Sequence, residues 1–574
     1  MIKAIAGIKS LIGEINETEK NLGMNCNYQQ FERTFASVQK LIQAQNAMNQ
    51  LKKTTTTAPV TSTKSDKAKE QELIDQFMDW MKKNGFDESK CSVKVGRNLN
   101  EGTGLVATKE IKEGEVFVEV PKELFITEQT AIKSLGEGIL KERFFQMVPN
   151  MLVVLQLIKE SLNEKSFWAP YINLLPKTYN TAIYFTLDDF KQLEGSNIQL
   201  EAMRSYRSSL RQYCYLYEFF ANNPGFIQTN VFTWELFAWG VGAVMSRQNA
   251  VPVGTHYNQT ALIPFWDFAN HTPNGKITTY FEGPGITASA LKNYKPGEQV
   301  FIYYGDRDNT HLLLYSGFSV KTNLNDNCLF SMQLENDDLK HDKIHILEER
   351  GLNDNMSIKF SPNPAVHQIP QEAIPFYRVA SLNEKQTQSI APKHDGGHNH
   401  HHHHHSANCG HDISLKKEAF DVLDEQSEKA AFTSLLNDMK LKLKSYPTTL
   451  AQDEDQLKQN PPAFTRFILY AKISEKKILE RNIKYVESLI EKGVLNANLP
   501  IPDFSQQSSS HGHSHGGNDH GHSHGGNDHG HSHGGNDHGH SHGGGDHGHS
   551  HSGPSHGHSH GGNHGHQHGA NCKH

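Results

Sequence analysis

Apolar positions recur along the chain with two different periods, and the switches between them mark its divisions. Between 29 and 52, Phe31, Phe35, Val38 and Ile42 alternate four and three apart, the seam of an amphipathic helix. Gln45 takes the next seam position and predicts a short seam, one that lies against a larger body or pairs with another helix. The stretch KKTTTTAPVTSTKSDK (52–67) is polar and broken by Pro59, which reads as a linker. A second helix is predicted from Leu73, Ile74, Phe77, Trp80 and Met81 on one face, stopped by Asn84-Gly85.

From 91 to about 127 the period shortens. GTGLVATKEIKEGEVFVEVP contains a Gly-rich turn, a strand at Leu105–Thr108, a turn at Lys112–Gly114 and an alternating strand to Val120, ended by Pro121. Helical spacing then dominates 128–250, in MLVVLQLIKESL, LDDFKQL, YRSSLRQYCYLYEFF and TWELFAWGVGAVMSR. Strand patterns return at 261–265, 276–290 and 298–304. A K-x-G-E turn running into an apolar strand occurs twice, at Lys112–Phe117 and Lys295–Phe301. Two β regions around a helical insertion predict one discontinuous β-rich domain. After about 330 the pattern is helical again, ending in FTRFILYAKISEKKILERNIKYVESLIEKG.

Composition changes this picture in one respect. Of 37 histidines among 574 residues, nine lie between His394 and His411 and 22 between His511 and His574. Neither tract can bury apolar surface, so a disordered loop at about 384–414 and a solvated tail at 501–574 are expected. The tail repeats GGNDHGHSH from Gly516 to His542; a nine-residue period can mark a calcium-binding β-helix, but these units lack the apolar residue such a coil buries. Neutral imidazoles in the tracts can bind nickel, copper or zinc. The net charge of −7 and the lack of a dense Lys/Arg cluster argue against nucleic-acid binding. No apolar run reaches membrane length, and charges interrupt MIKAIAGIKSLIGEINETEK too early for a secretory segment. Six scattered cysteines without CxxC spacing predict free thiols of a cytoplasmic, or also nuclear, protein.

Three phrases carry candidate chemistry. Glu101-Gly102-Thr103-Gly104-Leu105 supplies a permissive backbone for a turn or for close approach to a ligand. In Ile263–His271, the Asn270-His271 pair after an apolar strand reads as a turn or as a polar site. No second His or Cys stands at ligand spacing there, so no catalytic metal is expected. Gly297–Gly305 brings Tyr303-Tyr304 to a strand end, as packing residues or as the wall of a narrow channel; Arg307 and Ser316-Gly317-Phe318 follow.

The order of these phrases resembles the SET-domain protein methyltransferases: GxG with a short β pair, a helical insertion, then NH, then GExxxxxYG, then a helical region. The similarity is to the branch typified by the Rubisco large-subunit methyltransferase, and within it to the actin-histidine methyltransferases. SFWAPYINLLPKTYNTAIYF, VMSRQN, LIPFWDFANHT and FIYYGDRDN carry it, over roughly residues 29–500. The implied fold class is α+β. It comprises an N-terminal helical segment and linker (1–67) and a SET domain (68–330, with β parts at about 91–127 and 255–320). An all-helical substrate-binding domain (331–500) follows.

The resemblance implies S-adenosyl-L-methionine as methyl donor. It assigns Glu101, Gly102, Thr103, Asp267, Phe268, Ala269, Asn270, His271 and Ser316 to the donor pocket. Arg247 would pair with the donor carboxylate through a charge-assisted fork. Tyr304 would stand at the transfer channel, and Trp266 and Arg307 would line the groove for the protein substrate, actin. The acceptor is decided by Asn249. A lysine, at about 10.4, must lose a proton before it attacks, whereas a histidine, at about 6.5, is already mostly neutral. A side-chain carbonyl that accepts the far ring N–H leaves the near nitrogen bare. An Asn stands here in the histidine-modifying enzymes and an aromatic residue in the Rubisco-type lysine enzymes. Lysine methylation of another protein is the alternative activity, and capping of the VMSR helix the alternative role for Asn249.

Overall fold

The structure, a computed structural model, describes residues 2–23, 26–53, 66–254, 257–273, 275–362, 369–390, 416, 418 and 421–493. Both histidine-rich tracts, most of the Thr-rich linker, Cys409 and Cys572 lie outside the described residues. The four described cysteines, Cys26, Cys91, Cys214 and Cys328, are free thiols.

The β core is built from strands β1 (Val93–Leu99), β2 (Gly102–Ala107), β3 (Val116–Pro121), β4 (Ile126–Thr127), β5 (Asn249–Val253), β6 (Tyr257–Leu262), β7 (Asn270–His271), β8 (Thr279–Glu282), β9 (Gly285–Ser289) and β10 (Gln299–Ile302). They form three small sheets, ordered β1-β2-β10-β7, β3-β9-β8 and β4-β6-β5. Every sheet joins a strand from before the helical insertion to one from after it, which makes the β domain discontinuous in sequence and continuous in space. The two K-x-G-E turns have the same geometry. Glu115 accepts the Lys112 N–H and Glu298 accepts the Lys295 N–H, both at 3.0 Å, and Gly114 and Gly297 take the left-handed φ of +79° and +87° that only glycine adopts at no steric cost.

The insertion is a helical layer. In helix Asn150–Ser161, eight consecutive residues from Met151 to Ile158 are buried, the sign of an element covered on every side. Helix Trp234–Arg247 lies against it at Gly240, where an added Cβ would stand 2.8 Å from Ile158 Cγ1. That close approach fixes where Arg247 and Asn249 emerge.

The N-terminal segment belongs to the same core. Helices Ile2–Leu22 and Tyr28–Lys53 bury Ile8, Ile12, Ile15, Phe31, Val38 and Leu41. The helical segment expected over 1–67 holds two helices, and the apolar face of the one at 2–22 was not picked out in the sequence. Gln45 continues the seam it was expected to end. It is buried, donates to Tyr213 Oη at 2.7 Å and accepts the Trp234 N–H at 3.0 Å. At the other end, the C-terminal region is helical, with one antiparallel pair at its entry, β11 (Cys328–Gln333) and β12 (Asn355–Phe360). Helices Ala373–Ala380, Glu425–Lys444 and Ala463–Lys492 close a second apolar cluster around Phe330, Leu347, Phe376 and Phe432.

Candidate active site

β10 pairs antiparallel with β2 (Leu105 opposite Val300) and parallel with β7 (Asn270 opposite Phe301, His271 opposite Ile302). This register brings the Gly-rich turn, the Asn-His pair and the Tyr-Tyr strand end to one place. Asn270 Nδ2 donates to Thr103 O at 2.9 Å and to Gln299 Oε1 at 2.8 Å, while Gln299 Nε2 donates to Glu101 Oε2 at 2.7 Å. Both amide hydrogens of Asn270 are therefore spent on the frame, and its oxygen remains as an acceptor suited to a cation. Gly104 makes the network fit: a Cβ there would stand 2.4 Å from Gln299 Oε1 and 2.9 Å from Asn270 Nδ2. Gly102 has φ of +92°, and its missing Cβ would meet nothing within 4 Å, so the backbone of Glu101–Thr103 is open on that side. Thr103 Oγ1 accepts from Arg97 at 2.8 Å.

His271 accepts the Tyr304 backbone N–H on Nδ1 at 3.2 Å. That bond puts the proton of the neutral ring on Nε2, making His271 a donor. Burial pushes it down to about 4, so it stays neutral. Its ring stacks on Tyr303 at 5.6 Å and lies 5.1 Å from that of Tyr304. Tyr304 donates its phenol to Ala269 O at 2.9 Å, and burial pushes it up to about 12.

The Ile263–Ala269 stretch turns sharply. Phe265 has φ of +75° and ψ of −56°, a γ-turn conformation that costs a bulky residue about 1–3 kcal/mol. Burial of its ring against Phe77 and Phe86 holds it there. The turn presents Asp267 to Arg247. Arg247 Nη1 donates to Asp267 O at 2.9 Å and stands 3.6 Å from Asp267 Oδ1, and the guanidinium lies over the Phe268 ring at 5.3 Å. Arg247 Nε is buried with no hydrogen-bond partner, so the fork keeps a donor to offer a carboxylate. Asp267 also accepts from Tyr171, a fully buried phenol; burial, opposed by Arg247, pushes the Asp267 carboxyl up to about 6.

Asn249 opens β5 instead of capping the preceding helix, which ends at Arg247. Its Oδ1 accepts the Ala250 N–H at 3.0 Å and retains a second lone pair. Trp266 is buried and donates to Thr279 Oγ1 at 3.1 Å. Arg307 is half-buried, and its carbonyl accepts from Asn323. Ser316 ends a π-wound turn, Leu312–Ser316, a winding often found beside functional sites. Gln299 and Tyr171 are the residues the sequence reading missed. A depression of about 410 Å³ beside β7, lined by Thr272, Pro273, Lys276, Lys292 and Phe301 among others, contains none of the predicted donor-pocket residues.

The SET-domain family profile matches residues 102–305, and the Rubisco LSMT substrate-binding profile matches 334–479. A Xenopus tropicalis actin-histidine N-methyltransferase is 32% identical over 425 residues, 72% of this chain and 70% of that protein. The chain belongs to that family. The Homo sapiens member is 29% identical over 456 residues, 77% of this chain and 73% of its own length. Among solved structures, the SET domain of LSMT bound to lysine and AdoHcy superposes with a TM-score of 0.57 at 21% identity, covering 74% of this chain and 93% of that one. Rubisco LSMT bound to AdoMet gives 0.56 at 21%, covering 73% and 93%. These two fix the fold: a SET domain with a helical insertion and a helical C-terminal domain.

Proposed function

We propose that the protein transfers a methyl group from S-adenosyl-L-methionine to a histidine of actin. The observation that carries the reading is the convergence of Arg247, Asn270-His271 and Tyr304 through β10, with Asn249 two residues from Arg247 at the start of β5. Their donor and acceptor sets suit the two ends of such a donor: the spare N–H of Arg247 for its carboxylate, the free oxygen of Asn270 for its ammonium, and the Nε2–H of His271 for a ring nitrogen acceptor. When bound, that donor supplies an electrophilic methyl. The chain's own residues orient and exclude water, the effects that bring reacting atoms to about 3–3.5 Å.

The acceptor imidazole needs no base to become nucleophilic, only the correct tautomer. Asn249 supports that step with its amide oxygen, which takes the N–H of the ring nitrogen far from the donor and leaves the near one bare. After transfer the imidazolium releases its remaining ring proton to solvent. Half-buried Arg307 is proposed to line the approach to the site, whereas buried Trp266 packs in the core. The test is incubation with isotope-labelled donor and intact actin, followed by peptide mass mapping. One labelled histidine is expected; label on lysine alone would overturn the assignment.

A further inference from the structure

Helix Lys340–Glu349, in the C-terminal region, carries two histidines that the methyl-transfer site does not use. His341 and His345 stand one turn apart, with ring centroids 4.6 Å from each other and planes at 74°. The helix buries Lys343, Ile346 and Leu347 on its inner side, whereas the His341 side chain is 78% exposed and that of His345 35%. Core packing therefore does not account for the pair. Each ring also has a carboxylate beside the same nitrogen: His341 Nδ1 lies 3.7 Å from Asp342 Oδ1, and His345 Nδ1 lies 3.6 Å from Glu348 Oε2.

We propose that His341 and His345 form a two-armed chelate for a divalent transition-metal ion of the class that prefers imidazole, Cu²⁺, Ni²⁺ or Zn²⁺. Residues four apart share one helix face, and this spacing is the one by which a helix offers two imidazoles to one ion. A centroid separation of 4.6 Å allows both Nε2 atoms to stand about 2.0–2.1 Å from a common ion. A carboxylate beside each Nδ1 is placed to serve as an outer partner once a metal holds Nε2. Among the described residues no cluster of three or more His, Cys, Asp or Glu side chains is placed to hold a metal, so water completes the coordination and the site is an exchangeable one.

Thirty-seven histidines make bulk metal binding uninformative, so the test reads single residues in the full chain. Diethyl pyrocarbonate acylates a neutral imidazole nitrogen unless a metal holds it, and mass spectrometry maps the product at His341 and His345 as Cu²⁺ is titrated. Both are expected to be protected with one midpoint. In His345→Ala the midpoint at His341 is expected to rise about tenfold or more, because a tethered second arm acts at millimolar effective concentration or above. His341→Ala should do the same to His345. Alanine is the best helix former, and circular dichroism verifies that the helix persists. Absence of protection at saturating Cu²⁺, or an unmoved His341 midpoint in His345→Ala, would overturn the chelate.

Discussion

Gly104 shows how much of the site hangs on single atoms. A methyl group there would collide with the Gln299 and Asn270 amides, so Gly104→Ala is expected to lower the methyl-transfer rate about tenfold or more through misplacement of Asn270. Kinetics and a melting curve together check this: the rate should fall far more than the stability. Tyr171 acts at one remove. In Tyr171→Phe, Asp267 loses a donor that favours its charged form, so its carboxyl rises above about 6. If the Asp267 anion anchors Arg247, activity climbs with pH through that value, and the acid limb of kcat/KM should move to higher pH in the variant. An unmoved limb would remove Asp267 from the account. Asn270, His271 and Tyr304 could be named from the sequence because each sits in a short dense phrase. Gln299 and Tyr171 could not, since their partners lie 29 and 96 residues away and no local pattern encodes such contacts.

Among the elements, the burial of the N-terminal helix pair is what the sequence shows least. Glu19, 3% exposed, accepts from Arg207 Nε at 2.9 Å and from Thr34 Oγ1 at 3.0 Å, and stands 3.2 Å from Arg211 Nη1. Nothing local in the sequence marks Glu19 as buried, and period rules read Gln45 as the end of a seam. The partners that reverse both readings, Arg207 and Tyr213, lie on helix Asn197–Asn222. Removing one member of a buried ion pair strands the other, which typically costs about 3–5 kcal/mol. Glu19→Ala is therefore expected to lower the chemical-denaturation midpoint by that equivalent; a change under about 1 kcal/mol would mean that the helices only decorate the core. By contrast, the strands that follow the two K-x-G-E turns were legible as period-two runs, whereas β5, β11 and β12 lie in or beside stretches that read as helical.

In the whole molecule, the insertion meets the C-terminal helices at Lys442, whose neighbours within those helices form a buried polar seam. Lys442 Nζ donates to Gly195 O at 2.8 Å, Tyr446 donates to Glu475 at 2.9 Å, and fully buried Lys476 and Asp453 pair at 2.6 Å. Burial, opposed by Ser196, Lys442 and Tyr446, pushes Glu475 from 4.5 up to about 7, with Asp326 adding to the rise. An acid raised in the folded state gives stability that is complete below its unfolded value and lost as pH rises through its folded one, here between 4.5 and about 7. Glu475→Gln keeps an acceptor for Tyr446 and removes the titration. Relative to wild type, it should melt higher at pH 8 than at pH 5, and an equal difference at both would refute the seam's pH dependence. His271 works the other way. Depressed from 6.5 to about 4, it gives stability that is complete above 6.5 and lost as pH falls toward 4. The division into a discontinuous β domain and a helical domain was legible from the two periods; how those parts lock together was not, since Lys442 and Gly195 lie 247 residues apart.

The choice of histidine over lysine rests on the amide of Asn249, and competition between acceptors tests it most directly. Actin and a lysine-bearing protein are offered together to wild type and to Asn249→Phe, and labelled histidine and lysine are counted by mass mapping. Wild type should label histidine almost alone, and the variant should lose at least about tenfold of that rate, an effect of about 1.4 kcal/mol or more, with the ratio moving toward lysine. An unchanged ratio would contradict the assignment.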